Sequence, residues 1–190
     1  MIDEGAAALI GGVGLLERAV NYTLGSLHLV TPGLMSRPTP CRDWDLADLL
    51  AHMNDSLLAL QEAADLGHVG LDVPEAGAGD PVAVLRDRAC RLLGAWAGTD
   101  RPEASVGGLA LHTSILTSTG AIEVAAHGWD VAQACGRPRP LPPALAEELL
   151  ELVPLFIGDD DRAGRFDPAV AVSPTAPASD RLVAFLGRRP

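Results

Sequence analysis

Glu123 and His127 stand four residues apart in the stretch Ala121-Ile122-Glu123-Val124-Ala125-Ala126-His127-Gly128-Trp129-Asp130. Read as a helix, that spacing stacks both side chains on one face. A carboxylate beside an imidazole offers two ligand positions for a divalent metal ion. A third ligand has to come from elsewhere in the chain, and His52 is the best candidate. Three protein ligands with one open position is the arrangement of a catalytic rather than a structural zinc, the open position taking water or a substrate thiolate.

An isolated Glu-x-x-x-His pair is common and most often forms a surface hydrogen bond. Here Ile122, Val124, Ala125, Ala126, Trp129 and Val131 surround it, so the helix is apolar on most sides. A carboxylate taken into such an interior is costly unless a cation or strong hydrogen bonds compensate it. Asp130, three residues beyond His127, is placed to accept from the imidazole and orient it from the second layer. Arg181 is the candidate for binding a cofactor or substrate carboxylate. His28 and His112 lack a carboxylate at helical spacing in a matching apolar setting. Cys41 and Cys135 are weaker ligand candidates, one in a loop and the other two turns beyond His127.

These residues need helices to position them. Ala6, Leu9, Ile10, Val13, Leu16, Val20, Leu24 and Leu27 recur at intervals of three and four, predicting a first helix from about Asp3 to Leu29. Its glycines each cost roughly 1 kcal/mol of helix propensity, so packing must hold it. The proline-rich run from Arg37 is extended, because a residue before proline is pushed out of the α region. Asp45 reads as an N-cap with Asp48 at the third helical position, and Trp44 as a staple onto Leu49. This second helix runs to about Leu66, with His52 at the margin of its apolar stripe.

Residues 67–79 hold four glycines and read as a loop. Asp80-Pro81 starts a third helix ending near Gly98. Residues 101–113 are ambiguous, loop with some extended structure. A fourth helix runs from Ser114 or Thr117 to Cys135, with Gly136 as a left-handed cap, and a fifth from Ala144 to about Phe156. Residues 169–172 form a candidate extended segment, and Ser179 a candidate cap for a last helical turn, Asp180 to Leu186.

The chain has 190 residues, fitting one domain spanning 1–190, with residues 158–190 as a tail packed on the bundle. Its net charge is −11 and all its basic residues are arginine. Lysine chemistry is therefore excluded, and an acidic surface without a basic stripe excludes nucleic-acid and anionic-lipid partners. Three scattered cysteines argue against a disulfide framework, and no apolar run reaches the length of a membrane span. With an acidic start unlike a signal peptide, the expected location is cytoplasmic. The oligomeric state is left open between monomer and homodimer.

Three segments carry a resemblance. Thr39-Pro40-Cys41-Arg42-Asp43-Trp44-Asp45-Leu46-Ala47-Asp48-Leu49-Leu50-Ala51-His52 resembles the N-terminal signature of the mycothiol-dependent maleylpyruvate isomerase-like proteins, within the wider DinB-like metalloproteins. Glu123 to Ala132 resembles the second signature, and Asp180 to Arg188 the end of a short subgroup. The resemblance implies an all-α fold, a DinB-like antiparallel four-helix bundle, here with a short extra C-terminal helix and an irregular tail. It implies a divalent metal, usually zinc, on His52, Glu123 and His127, and mycothiol as a possible co-substrate. The chain is too short for the second domain of the isomerase, so isomerisation of maleylpyruvate is not carried over.

The reading is a metal-dependent enzyme that transfers a mycothiol-type low-molecular-weight thiol to a small electrophile, or exchanges it there. A biosynthetic lyase, isomerase or cyclase on the same fold is the first alternative. A non-catalytic binding protein stabilised by its metal is the second.

Overall fold

The apolar periodicity of the first stretch builds helix α1 (Gly12–Leu27), which buries Leu15, Leu16, Ala19, Val20 and Leu27. The computed structural model describes residues 12–41, 43–70, 79–158, 160, 162 and 166–190. The part of the expected first helix before Gly12 lies outside them. A short 3-10 turn, Pro32–Leu34, follows. The proline run does not continue extended as expected: it doubles back, with Pro38 bridged to Asp45 and Trp44 N bonded to Cys41 O at 3.2 Å.

Helix α2 (Leu46–Leu66) starts as its capping residues require. The Asp45 carboxylate accepts from the Asp48 amide at 3.0 Å, and the Asp48 carboxylate accepts from the Asp45 amide at 3.2 Å. Gly67 ends the helix at φ 75°, where a side chain would be strained. Strand β1 (His68–Val69) follows. Helix α3 (Pro81–Gly98) is capped by Asp80, whose side chain accepts from Val82 N at 3.0 Å.

Strands β2 (Glu103–Val106) and β3 (Leu109–His112) form an antiparallel hairpin, and β1 joins β2 in parallel. The ambiguous 101–113 segment is thus two strands of a small three-stranded sheet. Gly107 and Gly108, at φ 58° and 83°, make the tight hairpin turn that β-branched or bulky residues cannot. Helix α4 (Thr113–Ala134), α5 (Pro143–Phe156) and α6 (Ala178–Phe185) complete the chain. Residues 169–172 are irregular rather than a strand. Ser179 lies inside α6 and accepts from Leu141 N at 2.9 Å, so it tethers the tail instead of capping the helix.

The fold is mostly helical, in agreement with the expected all-α class, with the sheet as an addition. α4 packs against α1 and α2, and α3 against α2 and α1. His52, Ser56 and Leu60 of α2 meet Glu123 and Gly120 of α4 in reversed order, so these two helices run antiparallel. α1 lies beside α4 in the same direction, because Gly12 approaches Thr117 and Thr23 approaches Gly128. α2 and α3 both end at the sheet, through β1 and β2 paired in parallel. No helix among the described residues is long and apolar enough to cross a membrane.

Candidate metal centre

α4 is buried on nearly every side, as its sequence suggested: Val124, Ala125, Ala126, His127, Trp129, Asp130 and Val131 are all buried. Glu123 is half-buried at the seam with α2. The antiparallel pairing with α2 brings His52 to that seam. His52 Nε2 lies 2.6 Å from Glu123 Oε1, and His127 Nε2 lies 3.1 Å from the same oxygen. Ser56, one turn beyond His52, donates to it at 3.1 Å.

His52, Glu123 and His127 each offer one ligand atom, and these lie within 4.8 Å of one another. Two imidazoles and one carboxylate form a donor set that zinc accepts, with a position left open. His127 Nδ1 is 3.0 Å from Asp130 Oδ2, which leaves Nε2 as the ring nitrogen turned to the other donors. This arrangement fits a divalent ion.

Electrostatics bind the cluster together in its metal-free form. Burial raises the Glu123 carboxyl, but the His127 charge and hydrogen bonds from both imidazoles outweigh it and hold the group well below the ordinary carboxylate range. Burial lowers His127, yet Glu123, Asp130 and Cys41 together hold its imidazole well above the ordinary value. Asp130 is fully buried, which raises its carboxyl, but Arg188 and His127 bring the net shift downward.

Arg188 grips Asp130 with two bonds, Nε to Oδ1 at 3.2 Å and Nη2 to Oδ2 at 2.8 Å. Its Nη2 also lies 3.3 Å from Cys41 Sγ, and the Cys41 thiol donates to Asp130 Oδ2 at 3.2 Å. Cys41, His127 and Asp130 form a second close group of donors. The guanidinium stands on its flank, so a cation there would meet a fixed positive charge. The group with His52 and Glu123 is the better ion site.

The three donors line a cavity of about 800 Å³, shared with Cys41, Asp43, Trp44, Phe166, Asp167 and Arg188. The Trp44 ring stacks at a tilt on His52, 4.7 Å between centroids, and lies 6.3 Å from His127. On the inner side, Glu123 and His127 border a small apolar cavity of about 20 Å³ with Met53, Leu57, Leu85 and Ala89.

The structure brings together His52, Glu123, His127 and Asp130, four of the five residues singled out in the sequence. Arg181 is exposed on α6 and is not among the residues lining the cavity; Arg188 stands there instead. His28 Nδ1 pairs with Arg86 at 2.8 Å, and His112 Nδ1 with Ser114 at 2.9 Å, both away from the site. Sequence reasoning missed Cys41, Ser56, Trp44 and Arg188. Ser56 had a signal, since it lies four residues from His52 on the same helical face. Trp44 was read as a staple, and Cys41 was set aside because a loop position has no spacing rule.

Residues 16–132, more than half of the chain, match the family described as mycothiol maleylpyruvate isomerase N-terminal domain. The chain belongs to that family. The fold resembles the crystal structure of the mycothiol-dependent maleylpyruvate isomerase, with a TM-score of 0.56 and 18% identity, over 76% of this chain and 67% of that one. It is also 26% identical, over 90% of its length and 94% of theirs, to two uncharacterised Mycobacterium tuberculosis proteins, from strains CDC 1551 / Oshkosh and H37Rv.

Proposed function

We propose that this chain is a metal-dependent enzyme that transfers a mycothiol-type low-molecular-weight thiol to a small electrophile, or exchanges it there. The observation that carries this reading is the convergence of His52, Glu123 and His127 on the wall of a cavity of about 800 Å³. A cavity of that size suits small-molecule ligands. Family membership supports the thiol, since the solved relative is a mycothiol-dependent enzyme by its description.

His52 Nε2, His127 Nε2 and a Glu123 oxygen would hold the ion, with zinc the natural choice for this donor set. The ion, when bound, supplies the positive charge that lowers a thiol's pKa and keeps thiolate available at neutral pH. The remaining work belongs to the chain. Asp130 accepts from His127 Nδ1 and fixes which ring nitrogen is free. Ser56 donates to Glu123 and holds the carboxylate in place. Trp44 packs against His52 and flanks His127, and forms one wall of the cavity beside the donors. On this reading the described elements act as one domain, with α6 seated on α5.

The test is thiol dependence. Purified protein loaded with zinc consumes an electrophile such as an activated alkene faster with mycothiol than without it. Rates unchanged on omitting the thiol would overturn the reading. Zinc titration of His52→Ala and Glu123→Ala checks the ligand set, and both are expected to lose stoichiometric binding.

A further inference from the structure

Asp130 is fully buried, and a buried carboxylate needs partners to remain charged. Its partners are the Cys41 thiol, the His127 imidazole and the Arg188 guanidinium. His127 comes from its own helix, one turn away. Arg188 comes from the end of the chain, 58 residues on, and is itself only 9% exposed.

The route of the tail explains how the arginine arrives. Leu182, Val183 and Leu186 seat α6 in the core. Gly187 then turns at φ 86°, so close to Asp167 that an added Cβ would lie 2.6 Å from its carbonyl oxygen. That turn aims Arg188 inward, where Nη1 donates to Leu186 O at 3.0 Å and the other two nitrogens grip Asp130. A planar guanidinium satisfies both carboxylate oxygens at once, which lysine cannot.

From this geometry we infer that Arg188 is a positioning residue for the metal ligand His127. It acts through Asp130, so that ion binding and seating of the C-terminal tail favour each other. The inference rests on the metal reading above. Arg188 fixes the carboxylate, and the carboxylate fixes the imidazole. Coupling of this kind is reciprocal: whatever factor the seated tail adds to metal affinity, the metal adds to seating of the tail.

The experiment is a double-mutant cycle on the full chain, reading zinc affinity by competition with a chromophoric chelator. Arg188→Leu is expected to weaken zinc by about 10–100-fold, the usual effect of removing an outer partner of a metal-bound histidine. Asp130→Asn is expected to do the same. Adding Arg188→Leu to Asp130→Asn should change affinity by no more than about twofold, because the path is already cut. Arg188→Lys should recover part of the loss by restoring the charge without the fork.

A second readout needs no variant. Zinc should slow tryptic cleavage of the wild-type chain after Arg181, since that cut requires α6 to come away, while cleavage of Arg188→Leu should not respond to zinc. Wild-type affinity in Arg188→Leu would overturn the inference. So would losses that multiply in the double variant, or zinc-insensitive cleavage of the wild type. A wild type that binds no zinc overturns the metal reading and this inference with it, and is told apart by its titration.

Discussion

Glu123 Oε1 is the point on which His52, His127 and Ser56 all converge, and protonation decides what that convergence is worth. In the metal-free protein the folded-state pKa of Glu123 lies well below its ordinary 4.5. Its contribution to stability is therefore present above that value and lost as pH falls through the folded pKa. His127 lies well above its ordinary 6.5, so its contribution is full below 6.5 and lost as pH rises through the folded pKa. Thermal melts of the apo-protein should thus show its advantage over His127→Asn greatest between these ordinary values, shrinking as pH climbs above 6.5. Zinc needs the imidazole unprotonated, so affinity should rise with pH, and binding at pH 7 should release protons. Calorimetry in buffers of different ionisation enthalpy measures that release, and none would contradict the assignment. The Glu123–His127 pair was legible because a helix turns spacing into proximity. Cys41 was not, since only the packing of its loop brings its sulfur 3.7 Å from His127 Nδ1.

At the scale of elements, the site depends on how closely three helices approach. Gly128 follows His127, and a Cβ there would lie 2.2 Å from Thr23 Oγ1 on α1. The Thr23 hydroxyl already donates to Val124 O at 2.8 Å, so it has little freedom to withdraw. Gly128→Ala should force α1 and α4 apart and cost about 1–3 kcal/mol, as overpacked cores do. Chemical denaturation reads that cost, and Thr23→Ala in the same chain should restore part of it. A fully stable Gly128→Ala would show that α1 and α4 do not pack tightly at this point. The caps of α2 and α3 could be read directly, because a cap is a contact within three residues. The three-stranded sheet could not, since its strands are short and the parallel pairing of β1 with β2 is settled by helix ends that α2 and α3 bring together. Ser179 looked like a cap from its neighbours, but its hydroxyl serves Leu141, 38 residues away.

For the molecule as a whole, binding energy at the site should appear as stability. An ion present at about one hundred times its dissociation constant adds about 2.7 kcal/mol. For a chain of this size that corresponds to a melting temperature about 5–10 °C higher. Removing zinc with a chelator should lower the transition by that amount without splitting it, as one domain requires. Scanning calorimetry checks both points, and two separate transitions would divide the tail from the rest. Chelation that leaves the melting temperature unchanged would count against a metal held by these residues.

Local order in this chain is written in local signals: apolar periodicity, capping carboxylates, and a carboxylate and an imidazole one turn apart. Those forces act over a few residues, so the main helices and the proposed ligands on them could be named from the sequence. The partners of the site were a different matter. Which way α1 and α4 run beside each other, which loop delivers a thiol and an indole, and which tail arginine reaches Asp130 are all settled by long-range packing. No spacing rule connects residues 58 or 147 positions apart, as Arg188 is from Asp130 and Cys41. Only burial of a shared core brings them together.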